Sequence, residues 1–585
     1  MSNFWKLVLI LCGYPLLSAY VESQLHNNSN LLQKIHKERN FDSLLIVYDQ
    51  NVETSKFQDL FESPIPKLIV TKEMPDFVYK KKFNAEILCV LIMQRSMDAK
   101  FLNLTSAILN YIRQTRILML AENIENLEIF MRELRELCEI YKMTNVLLKV
   151  ALEKNYQFVM LKPYPEYHWQ AWNSGILYPQ HWRNMQQKSL LTYTDQTPPR
   201  ALLFRDPKTK ELRLNGFIPR MVMLFAEHFN AKLEMYPEVV LGKPTHYTII
   251  NDRLEELQLD IPMVLDTGPE EKWLNMSYPL DVAQGIFMVP CAQPRTIREV
   301  FNILLGWNFF CSITICTVLL SLVHSLYDYA FLRHWRPTSF LLNEHILPGV
   351  LGQSFVARKT QLQGLKLVYF LLFFAGLNVS TQFSARVQTL FTHPTYHQQI
   401  ENMEQLKQSP LKILLDAIEA QYILPHIEGL TSSLVITQNS TYFQDNRHRF
   451  NTKYGYYSSS TLWEMYRQKQ QYFTHKVFCT SDGLTVFRLL PWGFRLQFNS
   501  PYQEPLNYLI HQVHAAGLIQ AWHSSTFSDM LRLKWISIRD PNPERAAKVL
   551  VVQDFYWIWL IVAIGSGLGF LAFMFELICY KICAK

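Results

Sequence analysis

The side chains placed to do chemistry in this 585-residue chain are thiols, glycosylation sequons and a few charged pairs. None of them composes a catalytic centre: there is no G-x-S-x-G, H-E-x-x-H, P-loop or paired metal motif, so neither an enzyme, a metal site nor a cofactor is expected. His168 and His181 lack metal-ligand spacing and read as structural histidines, and Lys80–Lys82 reads as a solvated turn. Of nine cysteines, Cys89, Cys138, Cys291 and Cys479 lie in polar stretches, and four cysteines allow three pairings. Joining residues of one domain gives Cys89–Cys138 and Cys291–Cys479, with buried free thiols as the alternative. Sequons stand at Asn27 (NNS), Asn103 (NLT), Asn275 (NMS) and Asn439 (NST), while Asn378 (NVS) sits in an apolar run.

These residues need an exported chain, and the distribution of apolar residues supplies one. Only 18% of residues are charged, well below the usual ~25%, and the formal net charge is +7. That excludes disorder, and the mean hydropathy near zero implies polar domains averaged with membrane spans. After Lys6, residues 7–21 carry no charge and end near Ser18 and Ala19, the layout of a signal peptide over 1–21. Three later runs, 301–327, 367–385 and 555–575, contain no Asp, Glu, Lys or Arg and reach or approach the ~20 residues a spanning helix needs.

Orientation follows from the basic residues. The loop 328–366 holds Arg333, Arg336, Arg358, Lys359 and Lys366 against Asp328 and Glu344, and the tail carries Lys581 and Lys585. Both regions are therefore expected on the cytoplasmic side, with the mature amino terminus outside. The basic excess is a topology signal rather than a nucleic-acid footprint. Within the loop, 346–357 (ILPGVLGQSFVA) is uncharged, too short to span and broken by Pro348, Gly349 and Gly352. Irregular backbone at membrane depth is tolerated only where it is buried in protein or lines a cavity, which makes a re-entrant pore segment over about 340–357 the expectation.

The polar regions read as α/β. Between 22 and 165, SLLIVY, KLIVT, EILCVLIM, RILML and NVLLKVAL read as strands, and 101–113 and 124–141 as helices, giving an α/β layer with a mostly parallel sheet. Residues 166–199 read as an irregular linker. Strand and helix patterns resume over 200–300 and again over 393–554, so one α/β domain is split by a membrane unit: span 301–327, loop 328–366 and span 367–388. A third span, 555–578, leads to the tail 579–585.

This organisation resembles the ionotropic glutamate receptors, and local motifs are most similar to their divergent arthropod relatives, the chemosensory ionotropic receptors. NGFIPRMVMLFAEHFNAKLEM (215–235) resembles a first-lobe motif in which Gly precedes a helix. MSYPL (276–280) resembles an F-S-x-P-F segment, and QFSARVQTLFT (382–392) resembles the S-Y-T-A-N-L-A-A-F-L-T gate. SPYQEPLNYLIHQVHAAGLIQAW (500–522) is similar to the last helices of the second lobe. The likeness covers about residues 200–585, and the amino-terminal region is too short for the family's usual clamshell domain.

The resemblance implies a periplasmic-binding-protein-like bilobed ligand domain, a smaller amino-terminal α/β domain, and an all-α membrane domain of three spans and a pore loop. It implies a gate at Phe383, Ser384, Ala385 and Arg386, and a constriction near Gly352 and Gln353, with a cation-attracting ring at Glu344 as the alternative. The Arg that holds a ligand carboxylate in glutamate-binding members falls on Glu270, with Lys272 the nearest cation. The place of the amine-binding acid falls on Ser459, with Thr461 nearby and Thr431 a further ligand residue. An α-amino acid such as glutamate is therefore not the expected agonist. The implied function is a ligand-gated cation channel subunit for a small chemical stimulus, taste before smell, in a heterotetramer with co-receptor subunits at a sensory dendrite. The competing reading is a non-conducting membrane receptor or regulatory subunit that uses the bilobed domain for ligand or partner binding.

Overall fold

A computed structural model describes residues 27–583 except 49–51, 53, 72–76, 152–155, 207–208, 269, 305, 333–342, 344, 356, 358–360, 393–394, 428 and 542–551. The signal peptide, Glu344 and the basic residues Arg333, Arg336, Arg358 and Lys359 lie outside the described residues. The chain divides into two compact units. The first takes residues up to Gly285 with Ser458–Lys469 and Phe487–Ile538; the second takes Ile286–Tyr457, Gln470–Val486 and Arg539 onward.

The first unit opens with helix Asn28–Glu38 and the strands β1 (Ser43–Tyr48), β2 (Lys67–Thr71), β3 (Ile87–Gln94), β4 (Arg116–Glu122), β5 (Val146–Ala151), β6 (Tyr156–Lys162) and β7 (His168–Ala171). They form one sheet in the order β2-β1-β3-β4-β5-β6-β7, parallel through β5 and antiparallel beyond it. Strand β3 (ILCVLIMQ) is buried in all but its last residue, as a parallel strand covered on both faces must be. Alternate residues feed two cores: Leu45, Val47, Cys89 and Leu91 face one, Leu44, Ile46, Leu88 and Val90 the other. The crossover helices start where their caps dictate. Asp98 accepts from the backbone N–H groups of Lys100 and Phe101, and Asn126 accepts from Ile129.

Two expectations change here. Cys89 and Cys138 are free thiols, both fully buried in the same core. Membership of one domain does not bring two Cβ atoms to the ~4 Å a disulfide requires; these thiols pack as small apolar groups, and burial pushes both well above the usual thiol range. The stretch 166–199 is also not wholly irregular. It contains β7 and β8 (Lys188–Thr192), and β7 escapes detection because three of its four residues are exposed, which erases the period-two apolar pattern.

The rest of the first unit is a second α/β layer. β8 pairs in parallel with β11 (Ala231–Met235), and β9 (Leu202–Arg205) pairs antiparallel with β10 (Leu212–Asn215). Gly216 follows at φ +105°, and a Cβ there would stand 2.3 Å from the Arg200 carbonyl oxygen, so only glycine fits. Helix Phe217–His228 then buries Phe217, Ile218, Met221, Val222 and Phe225 against Leu506, Leu509, Ile510 and Val513 of helix Gln503–Ala515.

In the second unit, β13 (Lys412–Asp416) lies in parallel between β14 (Leu434–Thr437) and β15 (Tyr454–Ser459). The end of β12 (Met276–Pro290) pairs with β16 (Phe478–Cys479), and Cys291 forms the expected disulfide with Cys479. Among the described residues, three helices in this unit are long and apolar enough to cross a membrane: Trp307–Leu332, Gln363–Thr392 and Tyr556–Cys583. The apolar stretch of the last has no residue buried within the chain, leaving Trp559, Ile561, Leu568 and Phe570 bare. Such exposure is stable in lipid and not in water.

Candidate functional site

The ligand residues expected from the sequence fall in both units. Glu270 and Lys272 fall in the 3-10 helix Glu270–Asn275, and their side chains lie outside the described residues. Thr431 is exposed on a short turn in the second unit, whereas Ser459 and Thr461 belong to the first. Ser459 accepts from the Leu462 amide (3.3 Å) at the start of helix Ser460–Gln470, a capping role. Thr461 donates to Asp281 on β12 at 2.6 Å, and Ser460 Oγ accepts from the Gln284 amide at 2.9 Å. The serine run thus joins a helix start to a strand. Ser277 of MSYPL is likewise structural: its Oγ donates to the Tyr278 carbonyl and accepts from the Phe494 amide of β17 (Thr485–Arg495).

One charged cluster escaped sequence reading. Asp195, just past β8, is fully buried, and burial raises its carboxyl to about 6 against the pull of the Arg200 guanidinium 3.5 Å away. Arg200 lies 5.1 Å from the Tyr247 ring centroid and 5.5 Å from that of Trp492, so a cation on a loop is held by two rings and one acid. Asp195 stands five residues before it, but the two rings come from distant segments that no local spacing announces.

Burial, with the nearby Lys162 charge, lowers His181 to about 4 and so leaves it neutral near pH 7, and a His168 ring nitrogen lies 2.8 Å from the Glu166 carbonyl. Asn27 and Asn439 are exposed and cap helices through their side-chain oxygens; Asn103 is exposed and Asn275 half-buried.

Between the first two apolar helices sits a short helix, Ile346–Val350, within the segment expected to be re-entrant. Ile346 and Val350 are fully buried against Leu372. The fit depends on glycine: a Cβ on Gly376 would lie 2.0 Å from the Gly349 carbonyl oxygen, and one on Gly352, at φ +72°, 3.0 Å from Ser380 Cβ. Small residues permit this approach, as at packed helix interfaces in membranes. A polar network fastens the same place. His324 Nε2 lies 3.2 Å from the Tyr369 hydroxyl, and its Nδ1 lies 3.3 Å from Asn343 Nδ2 and 3.6 Å from an Asp328 oxygen. Asn343 also donates its backbone N–H to Ser321 Oγ.

Gly352 and Gln353 follow the short helix, with Gln353 exposed and its N–H bonded to the Pro348 carbonyl. The gate candidates lie in the last third of helix Gln363–Thr392. Phe383 meets Phe309 at 5.5 Å between centroids, and Ser384, Ala385 and Arg386 are exposed.

A cavity of about 800 Å³ lies in the first unit, at the amino ends of β3, β4 and β5. Helix Gln503–Ala515 supplies Gln503, Glu504, Asn507, Tyr508 and His511 from one face, and β12 supplies Met276 to Pro279. Among the described residues of this unit, Ser459 and Thr461 do not line it.

No protein-family model and no curated protein matches the chain.

Proposed function

We propose that this chain is a subunit of a ligand-gated cation channel of the ionotropic-receptor kind, detecting a small chemical stimulus in a sensory membrane. The observation that carries this reading is the seating of Ile346–Val350 between two helices able to cross a membrane. A broken, uncharged segment held at that depth needs protein on one side, and a pore gives it water on the other. The flanking chain supports the reading as well. The segments before the first apolar helix and after the second both belong to α/β layers, the arrangement expected when ligand closure of a bilobed domain pulls on the spans. In this reading the basic loop is cytoplasmic, the layers are extracellular, four subunits form the pore, and co-receptor subunits complete it. Ligand opens the gate only to the extent that it prefers the closed domain to the open one. Glu270 standing where glutamate binders carry Arg argues for a ligand other than an α-amino acid, and taste is the favoured sense.

The test is current recorded from cells that co-express the chain with candidate co-receptors and are screened against tastants, with surface expression verified. Replacing Gln353 or Phe383 should alter conductance or gating. Persistent silence of a surface-expressed protein, or tastant responses indifferent to both replacements, would instead favour a non-conducting receptor.

A further inference from the structure

We infer that the 800 Å³ cavity in the first unit is a binding site for a ring-bearing small molecule without net charge, held at one end by hydrogen bonds. Its volume falls within the ~300–1,000 Å³ of ligand sites, which favour the junctions between layers. Rings supply much of the wall: Tyr111, Trp273, Tyr278 and Tyr508. Trp273 and Tyr278 remain 49% and 52% exposed, so apolar surface is left for a planar guest to cover.

Apart from Lys80, the cations lining the cavity already have partners. Arg39 lies 3.4 Å from Glu86 and 3.7 Å from Glu504, one cation shared by two acids. Arg116 is buried, and its guanidinium donates to the carbonyls of Ile35, Arg39 and Asn40. Lys80 is exposed to solvent. A charged guest would have to compete with these pairs or with the hydration of Lys80, and shedding its own water for either is costly. A neutral guest meets no such penalty. For its polar end, Asn507 offers Nδ2, since its oxygen is committed to the Tyr278 amide at 2.6 Å, and His511 stands beside Tyr278 with ring centroids 4.9 Å apart. This inference does not depend on conduction: the site binds whether or not the chain forms a pore. It has a route to the rest of the chain nonetheless, because Met276 to Pro279 begin β12, which runs on to Pro290.

Three matched indoles test the charge rule on the full-length protein in detergent, by calorimetry with saturation-transfer NMR: tryptophol (neutral), tryptamine (cationic) and indole-3-acetate (anionic). Tryptophol should bind saturably and at least about fivefold more tightly than either ion, the order set by the desolvation penalty. Ala85→Trp, which fills the cavity, and Tyr278→Ala, which removes a half-exposed ring, should each weaken tryptophol binding by about tenfold or more. Tyr278→Ala keeps the test valid should Ala85→Trp fail to fold. The inference is overturned by an absence of saturable binding, by a charged indole binding as tightly as tryptophol, or by unchanged affinity in a folded variant.

Discussion

Gly376 approaches Gly349 so closely that a single added methyl group would stand 2.0 Å from the Gly349 carbonyl oxygen. The obstacle at Gly376 is backbone, which cannot turn aside. At Gly349 the same methyl group would meet the Cγ and one Cδ of the Leu372 side chain, both 2.6 Å away, which can shift more readily than backbone. Gly376→Ala should therefore cost more than Gly349→Ala, by roughly 1–3 kcal/mol on the scale of overpacked interiors. Melting curves of the two variants in detergent check the order. Equal losses would mean that the short helix is not seated against Gly376.

The His324 network fastens the same segment by polar contacts. His324→Leu removes the partner shared by Tyr369 and Asn343 and should lower stability by about 1–2 kcal/mol, the upper range for such bonds between membrane helices. His324→Gln, which can hydrogen-bond, should recover part of that. A leucine variant as stable as the parent would show that the network contributes nothing.

Asp195 carries a pH signature. Its folded-state value of about 6 lies above the ~3.9 of an unfolded aspartate, so the folded chain holds the proton more tightly. The stability from this group is complete below about pH 4 and is lost as pH rises through about 6. Asp195→Asn should flatten the melting temperature between those limits. Arg200→Gln leaves the buried carboxylate without its cation and should cost about 3–5 kcal/mol near neutral pH, where the acid is charged. An unchanged slope in Asp195→Asn would assign the pH dependence to other groups.

Thiol chemistry separates the four cysteines. Cys89 and Cys138 are fully buried, and burial disfavours their thiolates, so maleimide should label them only after unfolding. Cys291 and Cys479 should label only after reduction. Cys291→Ser opens a link between residues 188 apart and should destabilise by about 2–4 kcal/mol. Mass spectrometry of non-reduced peptides decides the matter, and a Cys89–Cys138 cross-link would contradict the buried arrangement.

What the sequence determined by itself was set by local and periodic physics. Charge-free runs mark the three helices able to cross a membrane, because length and apolarity suffice for that. Continuous apolar strands such as β3 announce a parallel sheet, because both of its faces must be covered. Pro348, Gly349 and Gly352 mark a segment unable to form a long regular helix, and the helix there is only Ile346–Val350. Only the tertiary structure decided which partners meet. Cys89 and Cys138 share a core without bonding, the run from Ser459 to Thr461 caps a helix and reaches Asp281, and Arg200 meets Tyr247 and Trp492 from distant segments. The cavity was illegible for the same reason. Its walls come from the starts of parallel strands, from β12 and from a helix more than 200 residues further along the chain. Such side chains become neighbours only when two layers pack, and no spacing along the chain encodes that.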